Sequence, residues 1–416
     1  MLMLKITPNK LTGTVHVVSS KSLSHRYVIA ASLAEGVSNI NNVLDSDDLV
    51  ATKAAVMALG AKVEGSKVTG SKVKRVHDLI DCHESGSTLR FFIPIAMLQN
   101  EEVTFTGRGK LPERPQNVYE DIFKDKYLFS HPESSYLPLT VSGPLKSGNY
   151  EMSGNVSSQF VTGLLYALPL VEGDSKIVLT SPLESKGYVD LTLDVIKQFG
   201  IHIESNDDGF FIPGNQKYLP HDATVEGDYS GAAFFVVAGL LGSKILLKNL
   251  REDSLQGDKA ILDFCIKMGG DIQFTKEGLL VNPSNTKGIT IDLGQTPDLG
   301  PILMVLGALS EGDTLITNAS RLRIKESDRL AAMVENLTKM GVKMDVYEDS
   351  VRIYGQKTLK GNVTLHTFGD HRIAMACAVA SIKADGPITL DDEKVVSKSY
   401  PTFFEVFKSL GGILND

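Results

Sequence analysis

GDYSGAAFFVVAGLLG, from Gly227 to Gly242, opens on small and acidic residues and continues as an unbroken apolar stretch. It is too short to span a bilayer, which takes about 20 residues. With no polar stripe, it suits a helix buried on every side. A helix N-terminus presents unpaired N–H groups and the positive end of a dipole. The same kind of opening returns at SSKSLSHR from Ser19, ESGSTLRF from Glu84, NVSSQFVT from Asn155, TPDLGPIL from Thr296 and FGDHRIAM from Phe368. These openings lie roughly 70 residues apart, a spacing that marks an internal repeat. Six such helix mouths in one chain suit a heavily anionic ligand.

A second landmark keeps the same period. Amphipathic runs end on a large apolar residue and a glycine at Leu59-Gly60, Phe199-Gly200, Met268-Gly269, Met340-Gly341 and Leu410-Gly411. Glycine supplies the left-handed helix cap without steric cost, and the alternating stretch after each one reads as a strand. Near residue 128 the chain reads IFKDKYLF and lacks the glycine, so one copy has drifted. Each unit therefore reads β-α-β-α-β-β, and six units fill the chain. The expected fold class is α/β (α+β), with two domains of three repeats each.

The cut falls near Glu226-Gly227, so 1–19 with 227–416 form one domain and 20–226 an inserted one. Strand-like Leu2–Ile6 and Thr14–Val18 are expected to finish the later globule, which makes the crossing two-stranded. Such a crossing is a hinge, with the helix openings of the two halves face to face.

With 416 residues, 42% hydrophobic and 22% charged, the composition is that of an ordinary globular chain. A net charge of −8 argues against nucleic-acid or anionic-membrane partners, which require a basic face. Any anion site must concentrate its positive charge locally. Cys82, Cys265 and Cys377 lack metal-ligand spacing and suit a reducing compartment. The start, MLMLKITPNK, lacks the layout of a signal peptide. A cytoplasmic protein is the expectation.

Four segments carry the candidate chemistry. RLRIKESDRLAAM, from Arg321 to Met333, packs Arg321, Arg323, Lys325 and Arg329 among Glu326 and Asp328. Most charge runs of this kind are solvated helix faces. This one sits between a strand-like TLITNAS and an amphipathic helix, where a loop feeds a helix N-terminus. In FGDHRIAMACAVA, Asp370, His371 and Arg372 open a helix rich enough in Ala and Met to be buried. Charges there should be paired or directed at a ligand; a plain Asp cap is the alternative. In SSKSLSHR, Ser22 and Arg26 are four apart, on one helix face beside Lys21. An Arg there can fork onto a carboxylate. In NVSSQF, Ser157, Ser158 and Gln159 add donors to free backbone N–H groups, a phosphate cradle. Arg114, Gly86, Tyr188, Asp298 and Lys398 complete the set.

These motifs, SKSLSHR, ESGSTLRF, ERP, SSQF, SKGYVD, PDLG, RIKESDR, GDHRIAMA and KSYPTFF, resemble in order and spacing the 5-enolpyruvylshikimate-3-phosphate (EPSP) synthase family. The resemblance covers nearly the whole chain and implies an inside-out two-domain α/β barrel with its active site in the interdomain cleft. It implies transfer of the enolpyruvyl group of phosphoenolpyruvate to the 5-hydroxyl of shikimate-3-phosphate, a step of aromatic amino acid biosynthesis. Neither cofactor nor metal is implied, and the family suggests a monomer.

By the match, Ser22 and Arg26 take the shikimate carboxylate. Ser157, Ser158, Ser185 and Lys325 take its phosphate, with Gln159, Tyr188 and Asp298 around the ring. Arg114, Arg329, Arg372, Lys398, Gln159 and the Gly86 N–H hold phosphoenolpyruvate, and Lys21 reaches both substrates. Glu326 is the expected acid and Asp298 the expected base, with Lys21 sharing the second role and His371 orienting Glu326 or assisting proton movement. Residues around Gly86 depart from the pattern of some members, which leans towards tolerance of glyphosate, the family's inhibitor.

The nearest rival is the enolpyruvyl transferase acting on UDP-N-acetylglucosamine. It typically carries Lys-Asn early and a Cys in the loop of Arg114, where this chain has Lys21-Ser22 and no Cys. A non-catalytic anion-binding protein on the same fold is the other alternative.

Overall fold

The computed structural model describes residues 3–206 and 208–415. The chain divides into two compact units, Met1–Ser20 with Glu226–Asp416, and Lys21–Val225. Among the described residues each unit holds three four-stranded sheets.

One repeat shows the plan. Strand Leu79–Asp81 leads into helix Gly86–Ala96, strand Val103–Thr106, helix Asn117–Phe123 and strands Leu128–Ser130 and Leu139–Ser142. The first two strands pair parallel across their helical crossover; the last two add antiparallel, with Leu139–Ser142 inside. Strands 149–152, 175–179, 204–206 and 209–212 repeat the order around helices Ser158–Ala167 and Lys186–Gln198. In the other unit, strands 290–292, 313–317, 343–346 and 351–354 do the same around helices Gly300–Ala308 and Arg329–Lys339.

The remaining three sheets borrow a strand from a distant segment. Gly13–His16 pairs parallel with Ile245–Lys248, and Leu4–Thr7 pairs antiparallel with both Ile388–Leu390 and Ile413–Asn415. Ala223–Thr224 returns to lie parallel to Ile40–Asn41. The N-terminal strands thus fall one or two residues from the alternation read in the sequence, and Leu2 lies outside the described residues.

The two helices of a repeat differ as their sequences require. Tyr229–Leu241, Gly300–Ala308 and His371–Ala380 are buried at every position, in one apolar core. Gly86–Ala96 and Ser158–Ala167 are nearly so in the other unit's core. Close approach there needs glycine: a Cβ on Gly163 would come within 2.2 Å of the Tyr119 hydroxyl and 2.5 Å of the Arg90 carbonyl oxygen. The second helices, such as Arg329–Lys339, bury one face only. Gly60, Gly200, Gly269, Gly341 and Gly411 end five of them with φ from +83° to +107°, in or near the left-handed region that favours glycine. The drifted copy stops at Phe123 and enters its strand at Leu128 without one.

Among the described residues no helix is long and apolar enough to cross a membrane. Cys82, Cys265 and Cys377 are free and buried, and burial pushes all three thiols up, Cys377 to about 12.

Candidate active site

In the discontinuous unit, three loop-to-helix junctions bring charges together. Asp298 lies in the 3-10 turn Pro297–Leu299, which feeds helix Gly300–Ala308. Lys325 and Glu326 occupy the link between Ser320–Ile324 and helix Arg329–Lys339, where Asp328 caps the helix by accepting the Ala331 N–H at 2.9 Å. Asp370 caps helix His371–Ala380 through the Arg372 N–H, also at 2.9 Å.

Arg329 is the hub. Its Nη1 donates to Asp298 Oδ1 at 2.9 Å, its Nη2 to Glu326 Oε2 at 2.6 Å and its Nε to Asp370 Oδ2 at 2.8 Å. The side chain is 1% exposed and Asp370 is fully buried. Burial alone would lower the Arg329 pKa, but Asp370, Glu326 and Asp298 outweigh it and the net shift is upward. The guanidinium is therefore a permanent charge.

Asp298 meets two further cations, Lys325 Nζ at 3.3 Å and Arg372 Nη2 at 3.2 Å. Burial would raise its pKa, yet Arg372, Lys325 and Arg329 together hold the carboxyl well below the usual range. Lys325 moves the other way. Burial, with Arg321 and Arg329 adding to it, overcomes the pull of Asp298 and sets the ammonium at about 8. Lys398 Nζ stands 4.0 Å from Glu326 Oε1, and His371 Nδ1 stands 3.7 Å from Asp370 Oδ1. Of the expected residues in this unit, Asp298, Lys325, Glu326, Arg329, Arg372 and Lys398 thus form one connected cluster, with His371 joined to it through Asp370.

In the inserted unit the partners are mostly neutral. Arg26 donates from Nε to Thr192 Oγ1 at 2.9 Å, from Nη1 to the Ser22 carbonyl at 2.8 Å and from Nη2 to the Tyr188 carbonyl at 2.7 Å. Three of the five donors of an arginine are thereby used within the protein. Its guanidinium carbon also lies 5.9 Å from the Tyr188 ring centroid. Lys21 differs from Arg26 in meeting a carboxylate, with its Nζ on Asp48 at 2.9 Å.

Gln159 donates to Ser87 Oγ at 2.9 Å and accepts from Arg90 Nη1 at 2.8 Å, so its amide is tied to the helix of Gly86. Ser157 caps Ser158–Ala167 by accepting the Gln159 N–H at 3.3 Å. Ser158 is buried, and Ser185, in the left-handed region at φ +54°, opens helix Lys186–Gln198. Arg114 lies against Gly86 so closely that a Cβ there would fall 2.7 Å from its Nη1. Helices 21–33, 86–96, 158–167 and 186–198, the caps Ser157 and Ser185 and the turn before Arg114 thus carry the expected substrate residues of this unit.

The sequence reading missed three participants. Asp370, noted only as part of a triplet, is the buried counter-ion of Arg329. Asp48 is the partner of Lys21. Arg90 spans Gln159 and the Pro115 carbonyl, at 2.8 and 2.9 Å, next to the Arg114 loop. Its signal was legible: a lone arginine inside the apolar run LRFFIPIA demands partners.

Among the described residues no group of His, Cys, Asp or Glu could hold a metal ion. The arrangement offers basic side chains for anions and carboxylates set against them for proton transfer.

The sequence pattern of EPSP synthase (3-phosphoshikimate 1-carboxyvinyltransferase) matches residues 6–407. A 3-phosphoshikimate 1-carboxyvinyltransferase of Clostridium novyi (strain NT) is 50% identical, over 99% of this chain and 98% of that protein. The solved EPSP synthase of Acinetobacter baumannii superposes with a TM-score of 0.84 at 25% identity, over 100% of both chains. The enolpyruvyl transferase NikO from Streptomyces tendae shares the fold, with a TM-score of 0.81 at 18% identity over 99% of this chain and 98% of that one. With the family pattern matching residues 6–407 and a relative half identical over nearly the whole of both chains, the chain belongs to the EPSP synthase family.

Proposed function

We propose that the two residue sets serve the two halves of one reaction, substrate capture and proton transfer. The chain is an enolpyruvyl transferase of the shikimate pathway. The 5-hydroxyl of shikimate-3-phosphate adds to C2 of phosphoenolpyruvate while a proton reaches the methylene carbon. Loss of a proton from the resulting methyl group then expels phosphate and restores the double bond. No covalent bond to the protein is needed.

In this reading Lys21, Ser22, Arg26, Ser157, Ser158, Gln159, Ser185, Tyr188 and Lys325 bind shikimate-3-phosphate. Lys21, Gly86, Arg114, Gln159, Arg372 and Lys398 bind phosphoenolpyruvate. Arg329 also binds that substrate, while it holds Asp298 and Glu326.

Asp298 is the base, and its depressed pKa has a use. Arg372 and Lys325 engage it; substrate phosphate and carboxylate on those cations compete for them and raise its basicity. Glu326 is the acid, between Arg329 and Lys398, with Lys21 and His371 assisting proton movement. Burial of the bound substrates supplies the upward pull that a carboxylic acid needs near neutral pH.

The observation that carries the reading is the cluster itself: Lys325, Arg329, Arg372 and Lys398 lie within 4.0 Å of Asp298 or Glu326. This concentration occurs in a chain of net charge −8. Phosphate release from phosphoenolpyruvate is expected with shikimate-3-phosphate as acceptor and not with UDP-N-acetylglucosamine. Release with the nucleotide sugar alone would overturn the assignment. The protein is further read as a cytoplasmic monomer; a dimer at micromolar concentration in sedimentation would oppose the second half of that.

A further inference from the structure

A chain of side-chain hydrogen bonds runs through the inserted unit beneath Lys21. His25 Nδ1 lies 2.7 Å from Thr52 Oγ1, which lies 2.8 Å from Thr88 Oγ1, which donates to Ser85 Oγ at 2.8 Å. Ser85 Oγ also accepts the Thr88 N–H at 3.1 Å. His25 is 1% exposed and the three hydroxyl residues are fully buried. The chain crosses three helices, Lys21–Leu33, Asp47–Ala58 and Gly86–Ala96, and ends on the residue before Gly86.

Proton counting gives the chain a direction. Each hydroxyl has one proton to donate. Thr88 spends its proton on Ser85, so Thr52 donates to Thr88 and must accept from His25. That assigns the proton of a neutral His25 to Nδ1. Burial, with Lys21 and Arg26 nearby, outweighs Asp48 and keeps the ring neutral, its pKa lowered to about 3.

The same helices carry a second rung one turn away. Lys21 and His25 are four apart on one helix, Asp48 and Thr52 four apart on the next. The Lys21–Asp48 rung is ionic and partly open, and the His25–Thr52 rung is dry. When Lys21 leaves Asp48 for a substrate anion, the dry rung keeps the two helices in register. Through Thr88 it also fixes the rotamer of Ser85, and so the aim of the Gly86 N–H. The first N–H groups of a helix have no partner within it.

We propose that His25, Thr52, Thr88 and Ser85 form a positioning relay that fixes the Gly86 N–H and thereby the affinity for phosphoenolpyruvate. The proposal rests on the reading that Gly86 and Arg114 hold that substrate.

Steady-state kinetics on the full chain test it. Thr88→Val keeps the shape and deletes the hydroxyl. The expected result is a rise of about fivefold or more in KM for phosphoenolpyruvate, with kcat and KM for shikimate-3-phosphate changed by less than about twofold. Thr88→Ser is expected to restore the parent value. Thr52→Val added to Thr88→Val should do no further harm, since one break already interrupts the relay. His25→Leu should match Thr88→Val, and His25→Asn, whose amide N–H reaches the place of Nδ1–H, should match the parent. Should Thr88→Val fail to fold, the His25 pair decides alone.

An unchanged KM for phosphoenolpyruvate in the folded Val or Leu variants, while Arg114→Ala raises it, would overturn the relay and leave the substrate reading standing. An unchanged KM in Arg114→Ala would overturn both.

Discussion

The two units solve one problem, holding cations in buried places, by opposite means. In the inserted unit Arg26 faces a hydroxyl and two carbonyls, and Arg90 faces an amide and a carbonyl. In the discontinuous unit Arg329, Arg372 and Lys325 face carboxylates. Neutral partners fix geometry without cancelling charge, so an arginine so held keeps its attraction for an anion. Carboxylate partners cancel charge and couple titrations, so cations so held respond when a substrate anion competes. The first arrangement suits recognition and the second suits proton transfer.

The sharpest way to break that contrast is Glu326→Gln. It should lower kcat by about 10²–10⁴, the usual worth of a general acid. Shikimate-3-phosphate affinity by calorimetry should stay near the parent value. A collapse of binding with turnover intact would move Glu326 to the recognition side. Next in size, Arg329→Leu strands Asp370, which is fully buried. Removing one partner of such a pair costs about 3–5 kcal/mol, read as a lower urea midpoint. Arg26→Leu leaves only neutral groups behind and should cost visibly less.

Gly86→Ala probes recognition without touching charge. Its Cβ would meet Arg114 Nη1 at 2.7 Å and must displace it. A displacement of that order is expected to weaken phosphoenolpyruvate binding by about tenfold to a hundredfold, with the shikimate-3-phosphate constant unmoved. Movement of both constants would place Gly86 in general packing.

Another effect is a slope. Burial lowers the His25 pKa to about 3 in the folded protein, from about 6.5 for a free imidazole. Between those values the unfolded chain binds the extra proton, so this stability is complete above 6.5 and is lost as pH falls towards 3. The contribution reaches about 1.4 kcal/mol per pH unit. His25→Asn should flatten the urea-midpoint profile there by that amount; an unchanged slope would mean that the ring is charged in the folded state.

Much of this was legible before any coordinate. The five capping glycines and the apolar helices gave away the period, because caps and burial are written in local residue types. The drifted copy at 117–130 still folds as its siblings do, since the pairing of Leu128–Ser130 with Leu139–Ser142 does not depend on the cap. Arg90, a lone arginine in an apolar run, signals that it needs partners, but those partners lie 69 and 25 residues away. Asp48 was hidden because an acidic residue in a first helical turn already has a local explanation in the helix dipole.

The sequence by itself determined the six-fold repeat, the places where helices begin and end, and which cations were available. Only the tertiary structure decided their partners. Arg329 meets Asp298 and Asp370 across 31 and 41 residues, Thr52 meets Thr88 across 36, and Arg26 meets Thr192 across 166. Caps and periodicity act over one or two turns and can be read along the chain. Pairing between buried polar groups acts through space, and it is set only when packing has brought distant segments to within a hydrogen bond of each other.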